Sequence, residues 1–128
     1  SRSLVLYFYP RDNTPGCTLE GQDFKRLHGE FRKLGCEILG VSRDSLKSHE
    51  NFKSKCGFPF ELVTDEDDRL GRLFDVIQMK KLYGREFEGI ERSTFVIDGS
   101  GRLRAEWRKV KVKGHAQEVL DFVREHLS

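Results

Sequence analysis

The stretch LVLYFYPRDNTPGCTLE, residues 4–20, sets the architecture of this chain. Leu4 to Tyr9 are all apolar or aromatic, the pattern of a strand buried on both faces. Pro10 stops that strand, and Arg11 to Gly16 carry loop chemistry. Cys17 follows, and after it comes a long segment with helical spacing. A cysteine is thus delivered to the point where a strand hands over to a helix N-terminus. The free N–H groups and partial positive charge of a helix start favour a thiolate. Because the thiolate is the nucleophilic form, Cys17 is the candidate reactive residue. Pro15 suits helix entry, Gly16 permits close backbone approach, and Thr14 brings a hydroxyl. Pro10, with no N–H, walls off one side. A lone buried cysteine is otherwise most often a small core residue.

The residue totals narrow the classes. With 128 residues the expectation is one domain over 1–128, large enough for a core without staples. Charge is balanced, 23 basic against 21 acidic residues with a net charge of +2, which argues against a dedicated nucleic-acid binder. No apolar run approaches membrane-spanning length. The three cysteines are irregularly spaced, with no CxxC pair and no Cys/His cluster of zinc type, so neither a metal nor a cofactor is expected. A reducing compartment, the cytoplasm, fits one working thiol better than a disulfide framework does.

Further along, Phe24, Leu27, Phe31 and Leu34 form one face of an amphipathic helix closed by Gly35. Glu20 is read as a first-turn acid that suits the helix dipole. Cys36 to Val41 reads as a second buried strand with Cys36 as packing. Ser45 is a candidate N-cap for a helix carrying Leu46, His49, Phe52 and Cys56 and ending at Gly57. His49, lacking a partner at ligand spacing, is read as a surface or capping histidine. Leu62 and Val63 make a short strand. Asp65 to Asp68 read as the acidic start of a helix that buries Leu70, Leu73 and Phe74, because the spacing and glycine of a calcium loop are missing. Val76 to Glu88 reads as a loop of mixed charge. Glu91 to Asp98 is a strand, Asp98 to Gly101 a hairpin turn, and Leu103 to Val112 the returning strand. On it Lys109, Lys111 and Lys113 read as edge guards rather than a nucleic-acid patch. A last helix spans 114–127. The order β-α-β-α-β-α-β-β-α implies a parallel sheet with an antiparallel edge, a thioredoxin-like α/β fold with a central mixed sheet flanked by helices. Ligands of such sheets lie beyond the carboxyl ends of strands, where Cys17 is.

The pattern Pro10-x-x-x-Thr14-x-x-Cys17 resembles the active-site motif of peroxiredoxins, the cysteine-dependent peroxidases. The longer string FYPRDNTPGCTLE (8–20) is similar to the PrxQ branch, also called bacterioferritin comigratory protein. The resemblance continues in LGVSRDS (39–45), ERSTFVID (91–98) and WRKVKVKGHAQEVL (107–120), and so covers nearly the whole chain. It implies the same thioredoxin-like fold and a catalytic set of Cys17 as peroxidatic nucleophile with Thr14, Pro10 and Arg92. It also implies an N-terminal β-hairpin ahead of Leu4 that these residues do not include, and a glutamate near the active-site loop at Glu20. Arg92 stands before an apolar strand run where packing gives it no reason to be, and its guanidinium can donate to sulfur and to a peroxide oxygen.

The implied activity is reduction of hydrogen peroxide and organic hydroperoxides, with Cys17 passing through a sulfenic acid recycled by a thiol reductant. Thioredoxin, glutaredoxin and glutathione are the candidate reductants, and a monomer without nucleic acid or membrane is expected. Many PrxQ proteins carry the resolving cysteine five residues after the first, where this chain has Gln22. Others carry it on the next helix, at a position matching Lys53; Cys56, one turn further, is the possible resolving residue. A one-cysteine cycle and Cys36 are the other options. A peroxide sensor or holdase using the same cysteine, and a disulfide reductase, are the alternatives; the missing CxxC speaks against the last.

Overall fold

A computed structural model describes residues 2–127. The strands are β1 (Ser3–Phe8), β2 (Cys36–Ser42), β3 (Glu61–Thr64), β4 (Ile77–Leu82), β5 (Arg85–Ile90), β6 (Ser93–Ile97) and β7 (Leu103–Trp107). The helices are α1 (Pro15–Lys33), α2 (Leu46–Cys56), α3 (Arg69–Leu73) and α4 (His115–His126). Five strands form one sheet in the order β3-β2-β1-β6-β7, and β4 pairs with β5 in a separate two-stranded sheet. The first three strands run parallel, and β6 lies antiparallel to both β1 and β7. This is the mixed sheet flanked by helices expected of a thioredoxin-like fold.

The apolar run of β1 is buried because it is the central strand with a core on each face. Val5, Tyr7 and Tyr9 join Phe24, Leu27 and Phe31 of α1, Phe52 of α2 and Val119, Leu120 and Val123 of α4. The alternate residues Leu6 and Phe8 point the other way, toward Val41, Val76, Ile90 and Phe95, with Phe74 and Ile77 packed against them. Stacked and edge-on rings tie the first core together: Tyr7 stacks on Phe24 at 4.8 Å, and Phe58 on Phe60 at 5.2 Å. Helix stops are as read. Gly35 and Gly57 take the left-handed conformation, and Ser45 caps α2 by accepting from Ser48 N at 3.2 Å. Asp65 accepts from the amides of Leu70 (3.0 Å) and Gly71 (2.8 Å), so its carboxylate serves the start of α3.

Four expectations are corrected. Residues 77–90 form the β4–β5 hairpin rather than a loop, turning at Tyr83 and Gly84, both with positive φ. Most of the hairpin is exposed, with apolar Met79, Leu82 and Phe87 among the exposed residues, so its apolar positions do not mark a buried face. The returning strand ends at Trp107; Lys109 has a φ of 51°, which breaks the strand, so Lys109, Lys111 and Lys113 do not guard an edge. Leu73 is 74% exposed, because α3 has only five residues and packs through Leu70, Gly71 and Phe74. His49 is buried at 2% exposure, neither surface nor capping.

His115, first residue of α4, fills the gap between Trp107 and Phe24 with its ring edge-on to both, and its Nε2 lies 2.7 Å from the Thr94 hydroxyl. Burial, with Arg92 adding to it, pushes its pKa down to about 4. The folded state therefore holds neutral His115, while the unfolded chain protonates near the ordinary value. The stabilisation from this residue is present above pH ~6.5 and is lost as pH falls from there to about 4. The unfolding free-energy difference between wild type and His115→Asn should shrink by about 3 kcal/mol over that interval. Urea titrations at several pH values check this; a constant difference would contradict it.

Candidate active site

The site is assembled at the carboxyl end of β1. Pro10 leaves the strand half-buried, and the loop turns through Asn13, whose φ is 63°. Thr14 takes extended backbone as the residue before Pro15, and α1 begins there. The Thr14 hydroxyl donates to the Arg11 carbonyl at 2.9 Å, which closes the loop on itself. Cys17 thus lies in the first turn of α1, 2% exposed, with the helix N-terminus contributing its partial positive charge.

Arg92 reaches this sulfur from the other side of the sheet order. It sits between β5 and β6, one residue before the strand that pairs with β1. Its Nη2 donates to Cys17 Sγ at 3.3 Å, and its Nη1 donates to Glu20 Oε1 at 2.6 Å. Val110 N donates to the Arg92 carbonyl at 3.0 Å, so the segment after β7 braces the arginine's backbone. Gly16 leaves room for this geometry: a Cβ there would stand 3.2 Å from Arg92 Nη2, and the guanidinium would have to shift by a few tenths of an ångström.

Glu20 lies beyond the first turn of α1, not in it, and is 1% exposed. Its role is to face Arg92 from one helical turn after Cys17, so one guanidinium bridges two residues of the same helix face. Burial pushes the Glu20 carboxyl up to about 7, with the Arg92 charge and hydrogen bond pulling the other way. Its second oxygen, Oε2, has no hydrogen-bond partner among the described residues. The helix-dipole reading of Glu20 does not give this contact; the signals in the sequence are its spacing of three from Cys17 and the family resemblance that sets a glutamate near the active-site loop.

Two further features, the placement of Lys80 and the Asp12–His49 contact, are not legible in the sequence. Lys80 of β4 lays its side chain across the bare Gly89 and donates to the Ile90 carbonyl at 2.5 Å. Burial and Arg92 lower its pKa, while Glu91 and the Cys17 sulfur act against them. Asp12 and His49 meet beneath the loop at 2.8 Å. With Asp44 they form a cluster whose ligand-type atoms lie within 4.8 Å of one another. That cluster is a poor cation site, because His49 Nε2 faces the Val63 carbonyl at 3.0 Å and Nδ1 faces Asp12, leaving no ring lone pair.

All three thiols are free and buried. Cys56 closes α2 at 9% exposure, in the same core cluster as Cys17, and its carbonyl accepts from Lys25 Nζ at 2.9 Å. Cys36 is paired with Ser3 at the start of the parallel strands, whereas Cys17 lies beyond their other end. The length of β1, six residues or roughly 20 Å, separates those ends.

A thiol at a helix start, facing a guanidinium fixed by a buried carboxylate, is arranged to hold a thiolate and to stabilise negative charge beside it. The similarities to known proteins agree. The family model described as AhpC/TSA matches residues 2–106. Peroxiredoxin Bcp of Xanthomonas campestris is 58% identical over 123 residues, covering 96% of this chain and 77% of that protein. Peroxiredoxin Bcp of Bacillus subtilis is 52% identical, covering 95% and 78%. The solved bacterioferritin comigratory protein of Xanthomonas campestris, studied for alkyl peroxide reduction, superposes with a TM-score of 0.95 at 55% identity, covering 99% of this chain and 81% of that one. The chain belongs to the AhpC/TSA family, and within it to the peroxiredoxins of the Bcp, or PrxQ, type.

Proposed function

We propose that Cys17 is the peroxidatic nucleophile of this thiol-dependent peroxidase, that Arg92, Thr14 and Pro10 complete its peroxide pocket, and that residues 1–128 work as one domain. The observation that carries the assignment is the 3.3 Å contact from Arg92 Nη2 to Cys17 Sγ at the start of α1. The thiolate attacks the near peroxide oxygen, an S–O bond forms as the O–O bond breaks, and the leaving oxygen takes a proton to become water or an alcohol. The guanidinium, shared between sulfur and incoming oxygen, meets the charge as it moves outward. Cys17 ends as a sulfenic acid, and a thiol condenses with it, releasing water and forming a disulfide.

Organic hydroperoxides are the proposed substrates beside hydrogen peroxide, because the Xanthomonas relative is described for alkyl peroxide reduction. Thioredoxin is the proposed reductant, with glutaredoxin and glutathione as the other thiol donors. A cytoplasmic monomer fits the free thiols, and among the described residues no helix is long and apolar enough to cross a membrane. For resolution, Cys56 and an external thiol compete. Cys56 sits in the last turn of α2, within the polar stretch Lys53-Ser-Lys-Cys-Gly57, and terminal turns open at low free energy.

Intact mass after one equivalent of peroxide tests the assignment. Wild type should gain one oxygen at Cys17, or lose two hydrogens with a Cys17–Cys56 cross-link. Cys17→Ser should do neither and should lose peroxide turnover, since a hydroxyl is too weakly acidic to replace the thiolate. Retained activity above a small residue would remove Cys17 from the mechanism. Glu20→Gln should match wild type below pH ~7, where the carboxyl is itself neutral. Above that pH it should oxidise Cys17 up to about tenfold more slowly, because the ionised carboxylate anchors Arg92 by a charge-assisted bond that the amide lacks. Stopped-flow rates against pH check this; a ratio independent of pH would contradict it.

A further inference from the structure

Asp12 lies five residues before Cys17, in the loop that carries Pro10 and Thr14, and His49 lies on α2, the helix that ends at Cys56. Their contact joins the two segments that bear the candidate thiols. Both side chains are 2% exposed. Asp12 Oδ2 accepts from the Ser48 hydroxyl at 2.8 Å and lies 2.8 Å from His49 Nδ1, while Oδ1 accepts from the Tyr9 hydroxyl at 2.6 Å. On the far edge of the ring, His49 Nε2 is 3.0 Å from the Val63 carbonyl. The Tyr9 and Ser42 hydroxyls also lie 3.5 Å from Nδ1 and Nε2, but each donates at 2.6 Å to a carboxylate, Tyr9 to Asp12 and Ser42 to Asp44. Carbonyl and carboxylate oxygens only accept, so the short contact at each ring nitrogen suits a donor there, the arrangement of an imidazolium. The backbone on either side is held as well. Asp12 N donates to Asp44 Oδ2 at 2.9 Å, and the Ser42 hydroxyl donates to the same oxygen at 2.6 Å.

We propose that the His49 imidazolium is a latch that holds the Cys17 loop against α2, and that loss of its proton loosens the loop. This makes His49 a positioning residue, acting through Asp12. The proposal takes from the Cys17 assignment only its consequence for turnover. When Cys17 is oxidised its buried sulfur must be uncovered before a second thiol reaches it, and the latch is the bond that such opening breaks. Without the proton, one of the two acceptors loses its donor, and the carboxylate is left buried beside a neutral ring.

The charged and titratable groups around the ring are few. Tyr9 faces it from the end of β1, Asp12 from the loop and Asp44 from the turn after β2. On the outer side stand Glu50 and Lys53 of α2 and Glu61 of β3, the last two paired at 2.5 Å. Burial works against charge on His49, but Asp12, the Val63 carbonyl and Asp44 together raise its pKa. Burial likewise opposes ionised Asp12, and the bonds from His49, Tyr9 and Ser48 bring its pKa below the ordinary carboxylate value.

Tryptic cleavage after Arg11 reports loop opening, because a protease needs several residues unfolded around the bond. The reduced protein should be cleaved roughly tenfold faster at pH 9 than at about pH 6.5, after normalising to an unstructured peptide of the same sequence. His49→Gln should be fast and flat across that range, since a neutral amide can neither supply both charge-assisted donors nor titrate. Cleavage of His49→Gln at the wild-type rate and with the wild-type pH profile would overturn the proposal. Should that variant not fold, the ¹⁵N resonances of the His49 ring in wild type decide. Two protonated nitrogens at pH ~6.5, whose loss follows the rise in cleavage, support the latch. A neutral ring at that pH, or a rise in cleavage that does not follow the titration, overturns it.

Discussion

The arginine bridge between Glu20 and Cys17 is the contact on which the rest of the structure bears. A buried sulfur and a buried carboxylate, one helical turn apart, are each costly to charge in isolation. A guanidinium with donors to spare meets both, at 3.3 Å and 2.6 Å. That cation is itself half-buried, and its two partners offset the cost of taking it out of water. The guanidinium lowers the cost of charging the sulfur and the carboxylate, and they in turn offset its own desolvation.

Sheet topology explains how residues 75 positions apart come to touch. Cys17 lies in the first turn of α1, the element after β1, and Arg92 immediately precedes β6, the antiparallel neighbour of β1. Antiparallel pairing brings the exit of one strand beside the entry of the other, with Phe8 opposite Ser93. The aromatic residues of β1 fix that register by filling cores on both faces, since a slip of one residue would exchange Tyr7 and Phe8 between them. Packing that seems remote from the chemistry thereby sets the distance from nitrogen to sulfur.

What was legible in the sequence follows the strength of local signals. The apolar run at Leu4–Tyr9, the helix face Phe24, Leu27 and Phe31, and the glycine stops at Gly35 and Gly57 are periodic or conformational signals, and they are legible in the sequence. The β4–β5 hairpin is not, because its strands are mostly solvated and Met79, Leu82 and Phe87 are themselves exposed, so apolar positions mark no buried face. Lys109 broke a strand through a positive φ that no residue type announces. At the site, Cys17, Thr14, Pro10 and Arg92 were singled out by motif, whereas the anchoring of Arg92 by Glu20 is a long-range fact. The burial of His49 is hidden from the sequence for the same reason. Its partners come from the loop and from β3, which spacing along α2 cannot show.

Arg92→Met, followed by the rate at which Cys17 takes up oxygen under single turnover, tests the bridge most directly. The bonds it removes are charge-assisted and worth about 1.5–3 kcal/mol, so the variant should stay folded while Cys17 oxidation slows ten- to a hundredfold. Oxidation of Cys17 at the wild-type rate in a folded Arg92→Met variant would contradict the role given to the guanidinium.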